Sequence, residues 1–225
     1  MTIGIRQVQI GASASGTSVS CTVTPTLAGS TIVAFLCHIA AFMNQVTPTG
    51  PTGFTLISEV FEANYSQVDA YYKDNESSGV TTYTASGGNN VEKALIVFEL
   101  TSPLTSGSLD LHNETHGTST APSCSLTTLS QASEAVLGVI TAVQNAAITA
   151  DGSATATIES HNVNGAFLGQ GKVVASTTGP TLAGGTTSVK WQDYVASFKD
   201  SGGGGGGGGS PGSRIATVPS IPSIR

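Results

Sequence analysis

The chain has 225 residues, 10% of them charged, and a formal net charge of −6 with only eight Lys plus Arg. That length allows one large domain or two small ones. The charge balance excludes a basic surface able to neutralise a phosphate backbone, and with it a nucleic-acid partner. Charged residues fall far below the usual ~25%, and Thr, Ser, Gly, Ala and Val take their place. Such a composition fits an all-β protein whose outer faces carry hydroxyls, with enough Val, Ile and aromatic residues for a packed core.

The opening "MTIGIRQVQIGASASG" contains no apolar signal-peptide core. Strand-like runs then recur about every 10 to 15 residues, bounded by Gly, Pro, Asn and Ser. The first series reads "IRQVQIG", "TSVSCTVTP", "STIVAFLCHIA", "FTLISEVFE", "SQVDAYYKD", "VTTYTASG" and "EKALIVFELT". Val19, Cys21 and Val23 alternate onto one face, as a half-buried strand requires. "TIVAFLCHI" and "ALIVFEL" are nearly continuous apolar runs, expected of central strands covered on both sides. "STIVAFLCHIAAFM" is also the best apolar stretch, and it falls short of the ~20 residues of a membrane span.

The second series reads "GSLDLHNE", "APSCSLTTL", "EAVLGVITAV", "ATATIESHN", "FLGQGKVVAS", "TTSVKWQ" and "YVASFKD". A short helical turn fits "TTLSQASEAVL". The glycines of "GQGK" (Gly169–Lys172) and "AGGTT" (Ala183–Thr187) read as turns. The segment from Ser20 resembles the segment from Ser123, so halves at about 17–102 and 120–200 point to an internal duplication. Two architectures fit: one jelly-roll-like sandwich in which each half supplies strands to both sheets, or two immunoglobulin-like sandwiches in tandem. The absence of a linker between the halves favours the first, so the expectation is a single antiparallel β-sandwich body over residues 1–200.

The cysteines Cys21, Cys37 and Cys124 are odd in number and lack framework spacing, which predicts buried free thiols. His38 beside Cys37 reads as a buried, hydrogen-bonded histidine and not as half of a thiol–imidazole pair, because neighbours on a strand face opposite ways. His112, Glu114 and His116 form an H-x-E-x-H pattern on a strand, so they share a face and could meet a metal with help from Asp110 or His161. The simpler reading is an exposed strand end. Glu59, Glu62 and Asp69 lie in one region, and Asp69 with Glu99 suits a pair facing across a sheet. Tyr65, Tyr71, Tyr72 and Tyr83 are the residues available for a sugar-binding face. No nucleophile elbow or phosphate loop occurs, and neither an enzymatic activity nor a cofactor is expected.

After residue 200 the composition changes. Gly202, Gly203, Gly204, Gly205, Gly206, Gly207, Gly208 and Gly209 run without interruption, within a tether over residues 201–213. Ordering each glycine costs ~1 to 2 kcal/mol of backbone entropy, with no side chain to offset it. The run predicts a flexible spacer of roughly 15 Å, about 26 to 29 Å when stretched. Residues 214–225, "RIATVPSIPSIR", place Ile215, Val218, Ile221 and Ile224 among prolines, with Arg214 and Arg225 at the ends. Prolines block helix and central strand and favour an extended segment suited to docking on a partner.

The order of a leader strand, "TVTPTLAGSTIVAFL", "TGFTLISE", "VDAYYKD", "VTTYTASG", "ALIVFEL" and a degenerate copy resembles jelly-roll structural proteins of tailed bacteriophages, among head-decoration, fibre and minor tail proteins. The resemblance covers roughly residues 5 to 200. It implies a virion protein made in the host cytoplasm and assembled as a homo-oligomer, a trimer in the first instance, with other virion proteins as partners. A receptor-binding or cell-surface glycan-binding adhesin, and a metal-dependent hydrolase on the same scaffold, are the alternatives.

Overall fold

The computed structural model of the chain describes residues 2–40, 45, 47–62, 65–87, 90–101, 103 and 105–200. The first half forms β1 (Gly4–Ser13), β2 (Ser18–Thr22), β3 (Ser30–Ile39), β4 (Thr55–Glu62), β5 (Ser66–Glu76), β6 (Thr82–Ser86) and β7 (Glu92–Thr101). The second forms β8 (Leu109–Ser119), β9 (Ser123–Ser125), β10 (Glu134–Val143), β11 (Ile148–Thr149) and β12 (Ala156–His161). It continues through β13 (Gly165–Val174), β14 (Thr181–Ala183), β15 (Gly185–Thr186) and β16 (Val189–Lys199). The chain is all-β, and its strands pair antiparallel.

Two five-stranded sheets carry the fold, ordered β1-β7-β3-β5-β4 and β12-β13-β10-β16-β8. Read from β8, the second order repeats the first strand for strand: β8 matches β1, β16 matches β7, β10 matches β3, β13 matches β5 and β12 matches β4. The small sheets match as well. β2 pairs with β6 as β9 pairs with β14, and the isolated Thr49–Ser86 bridge takes the place of the β11–β15 pair. Both leading strands shift register at the same end, β1 between Ile5 and Gln7 and β8 opposite Ala196 and Phe198.

Each half therefore builds its own large sheet and lends no strand to the other's. This differs from the jelly-roll exchange of strands, and from two separate sandwiches. The reason lies in the faces. The odd-numbered residues of β3 and the even-numbered residues of β7 turn toward the other half, where Val33, Phe35, Ile96 and Phe98 meet Leu137, Val139, Phe167 and Phe198 in one core. Neither half has an internal sheet large enough to cover that face, so the two halves cover each other. Phe35 lies at its centre, edge-on to Phe98 (6.0 Å between ring centroids) and to Tyr194 (5.7 Å). The outer face of each large sheet is buried under its own small sheets, which explains why β3 and β7 are buried along nearly their whole length.

Several local expectations change. "TTLSQASEAVL" contains no helix, and "TTSVKWQ" and "YVASFKD" join into the single strand β16. Gly169–Lys172 is the middle of β13 rather than a turn. A Cβ on Gly169 would lie 2.6 Å from Ile96 Cγ2, and one on Gly171 would lie 2.8 Å from Ile5 Cδ1. The glycines let the opposing sheet approach β13 closely. All three cysteines are buried free thiols. Burial pushes Cys21 and its counterpart Cys124 up to about 12.

Candidate functional site

The row His112, Glu114 and His116 lies on β8, the edge strand of the second sheet, facing β4 of the first. The three residues share a face and are exposed. His112 stacks on Tyr194 (6.0 Å, 11° between planes), whose hydroxyl bonds Ser58 Oγ at 2.7 Å. His116 Nε2 lies 3.1 Å from Glu62 Oε2. Deeper in the same seam, Ser66 Oγ donates to Gln192 Oε1 at 2.8 Å and Tyr65 OH donates to the Trp191 carbonyl at 3.1 Å. These bonds tie β4 and β5 to β8 and β16, closing the polar edge of the sandwich. Among the described residues no group of three or more His, Cys, Asp or Glu is placed to hold a metal. Asp110 is drawn to Lys199 instead, at 3.4 Å, and His161 lies on β12 at the opposite edge, bonded to Asn145.

A second cluster lies on the outer face of the first sheet, where sequence reading picked out His38 and Asp69 separately and did not bring them together. Gln67, His38 and Lys93 stand side by side on β5, β3 and β7. Asp69 sits one step along β5, its Oδ2 3.6 Å from His38 Nδ1. All four are fully buried. Gln67 Nε2 donates to Asp69 Oδ1 at 2.9 Å, and Lys93 Nζ donates to the carbonyls of Val91 (2.8 Å) and Gly16. Among the described residues neither ring nitrogen of His38 has a hydrogen-bond partner, contrary to the expectation of a hydrogen-bonded histidine. Burial, with the Lys93 charge nearby, lowers His38 to about 3, and burial raises Asp69 to about 7. At neutral pH the imidazole is therefore uncharged. Cys37 faces the shared core on the other side of the sheet, so it forms no pair with His38.

The duplication shows that the fold does not require this cluster. The corresponding row of the second half is Ala166, Ala142 and Trp191, which is apolar. Gly87 presses on the first-half cluster so closely that a Cβ there would lie 2.7 Å from Lys93 Cε. Among the described residues the arrangement is a sealed polar core with no exposed reacting atom.

A third group lies where β16 ends. Glu134, fully buried, accepts from Gln131 N–H at 3.2 Å, and Asp110 accepts from Ser130 N–H at 2.8 Å. Burial and the neighbouring Asp110 raise Glu134 to about 7, while Asp110 is held low despite its burial by its Ser130 hydrogen bonds and by Lys199. In the first half the equivalent loop is held by Glu99, which accepts from Leu27 N–H at 2.7 Å and pairs with Arg6. These carboxylates anchor the β2–β3 and β9–β10 loops.

The remaining acidic and aromatic candidates disperse. Asp69 pairs in register with Glu59, and Glu99 lies at the other end of the sheet, so the Asp69–Glu99 pair does not form. Tyr65, Tyr71 and Tyr83 are buried and Tyr72 packs toward the shared core, so they form no exposed sugar-stacking face. Gly202–Gly209 and the docking residues Arg214, Ile215, Val218, Ile221, Ile224 and Arg225 lie outside the described residues. No helix of the described residues is long and apolar enough to cross a membrane. No protein family, curated protein or solved structure matches this chain.

Proposed function

We propose that the chain is a non-enzymatic structural component of a virus particle, with its sandwich displayed on, or cementing, a capsid or tail and residues 201–225 attaching it. The observation that carries this reading is a segregation of charge and chemistry along the chain. All fourteen carboxylates and six of the eight basic residues lie in residues 1–200, a net −8; residues 201–225 hold Arg214, Arg225 and no acid, a net +2. The acidic body and the basic, apolar, proline-spaced segment are joined by glycines that impose no orientation. The side chains with chemistry available are also spent on cohesion. His116, Tyr194, Gln192 and Ser66 stitch the two halves, and Glu134, Asp110 and Glu99 hold loops. On this reading the partners are other copies of the chain and other particle proteins.

Mass spectrometry and electron microscopy of purified particles test the proposal. The expected result is a stoichiometric, symmetrically placed copy of the chain that is lost when residues 202–225 are deleted. A chain absent from particles, or one incorporated equally well after the deletion, refutes it.

A further inference from the structure

The outer face of β12 and β13 carries a groove of about 520 Å³ that none of the ties described above uses. Ile148, Ala150 and Leu168 form its floor and Thr157 and Glu159 its rim, while Ile158 between them turns its side chain to the shared core. Among the described strands β12 is the edge of its sheet and pairs with β13 alone. Glu159 is 55% exposed, and the ion pair it makes is a 3.9 Å contact with His161. Its counterpart in the first half, Glu59, is instead held by Gln45 Nε2 at 2.6 Å. The second half thus presents a trough of mixed polarity, with Ile148, Ala150 and Leu168 at its floor and an acidic edge.

We propose that this groove docks residues 214–225 of the same chain. The inference rests on the reading of that segment as a docking peptide. Ile215, Val218, Ile221 and Ile224 are spaced by three residues, and Pro219 and Pro222 favour the polyproline conformation. That helix has three residues per turn and a rise of about 3.1 Å per residue, so the four side chains line one edge at intervals of roughly 9 Å. A six-residue strand such as β12 runs about 20 Å, room for two or three of those anchors. The flanking arginines are opposite in charge to Glu159.

Reach decides which copy supplies the segment. The groove lies level with Leu168, which is aligned across β10 with Asp193 of β16. From there to Asp200 is about 23 Å along the strand, and three strand spacings add roughly 14 Å sideways, a span of about 27 Å. Residues 201–213 have a relaxed length of roughly 20 Å and a stretched limit of about 43 to 47 Å. A tether whose relaxed length lies near its span gives millimolar effective concentration. At micromolar protein the chain's own segment therefore outcompetes a neighbour's by about a thousandfold. A neighbour's segment takes over only where copies are held at comparable local concentration, as in an assembled array.

The test uses the full chain with a photo-crosslinking amino acid in place of Thr157, made in ordinary and ¹⁵N-labelled form and mixed at micromolar concentration. Crosslinked peptides are then mapped by mass spectrometry. The expected product joins position 157 to residues 214–225 with both peptides of one isotope, and Glu159→Lys lowers its yield severalfold while the melting temperature holds. Mixed-isotope products, crosslinks to another segment, or no product with 214–225 overturn the assignment. If these failures accompany loss of particle incorporation on deleting 202–225, the groove is wrong and the attachment role stands. If the deletion has no effect on incorporation, the attachment role itself fails.

Discussion

Replacing Glu134 with Gln separates electrostatics from shape at the base of the second half. The side chain is 0% exposed and lies beside Asp110, so burial and that neighbour raise its pKa from an ordinary 4.5 to about 7. The folded chain thus holds this proton more tightly than the unfolded chain. Between pH 4.5 and 7 the unfolded chain releases it first, and stability falls as pH rises; below and above that window the group contributes no slope. The gap corresponds to at most about 3 kcal/mol, or a loss of roughly 6 to 12 °C in melting temperature for a body of this size. Glu134→Gln keeps the acceptor for Gln131 N–H and a donor toward Asp110 while removing the titration. Urea and thermal unfolding at pH 4.5, 6 and 8 should show the wild-type decline flattened by about that amount. An unchanged pH slope would refute the assignment of a neutral buried acid at this position.

Other expectations test the remaining layers. Phe35→Ala removes the ring at the centre of the shared core and should cost about 3 to 5 kcal/mol in urea unfolding. Asp193 is buried with neither carboxylate oxygen hydrogen-bonded among the described residues, and burial raises its pKa well above the ordinary value. The matching position in the first half is Leu95, so Asp193→Leu should stabilise the protein by ~1 to 4 kcal/mol at pH 8; a loss of stability there would contradict the matched registers. A Cβ on Gly11 would collide with the Ser20 carbonyl, so Gly11→Ala should cost about 1 to 3 kcal/mol by the same assay. His38, lowered to about 3, should keep a neutral imidazole in ¹⁵N spectra from pH 8 to pH 5, and a midpoint inside that range would contradict its enclosure.

Much of the fold was legible because half-buried strands write their period into the chain. Ser18, Ser20 and Thr22 stay exposed while Val19 and Cys21 are buried, and the runs of β3 and β7 announced coverage on both faces. Short strands left weaker marks. β11, β14 and β15 are two or three residues each, too few to show alternation. The candidate sites were less legible. His112, Glu114 and His116 do share a face, but their partners Tyr194 and Glu62 come from strands distant in sequence. The polar core at Gln67, His38, Asp69 and Lys93 left only a trace, a His and a Lys interrupting "FLCHIA" and "EKALIVF".

The sequence by itself determined the local events: where strands run, which side chains alternate inward, that two halves share one plan, and that glycines and prolines set residues 201–225 apart. These follow from backbone geometry and composition, which act over a few residues. Only the tertiary structure decided how the halves combine. Two sheets of identical order each bury an apolar face that neither half can cover alone, so they stack on one another instead of trading strands. That choice also placed the polar seam at β4 and β8 and left the groove beside β12, because both depend on which strands become edges once the sheets meet.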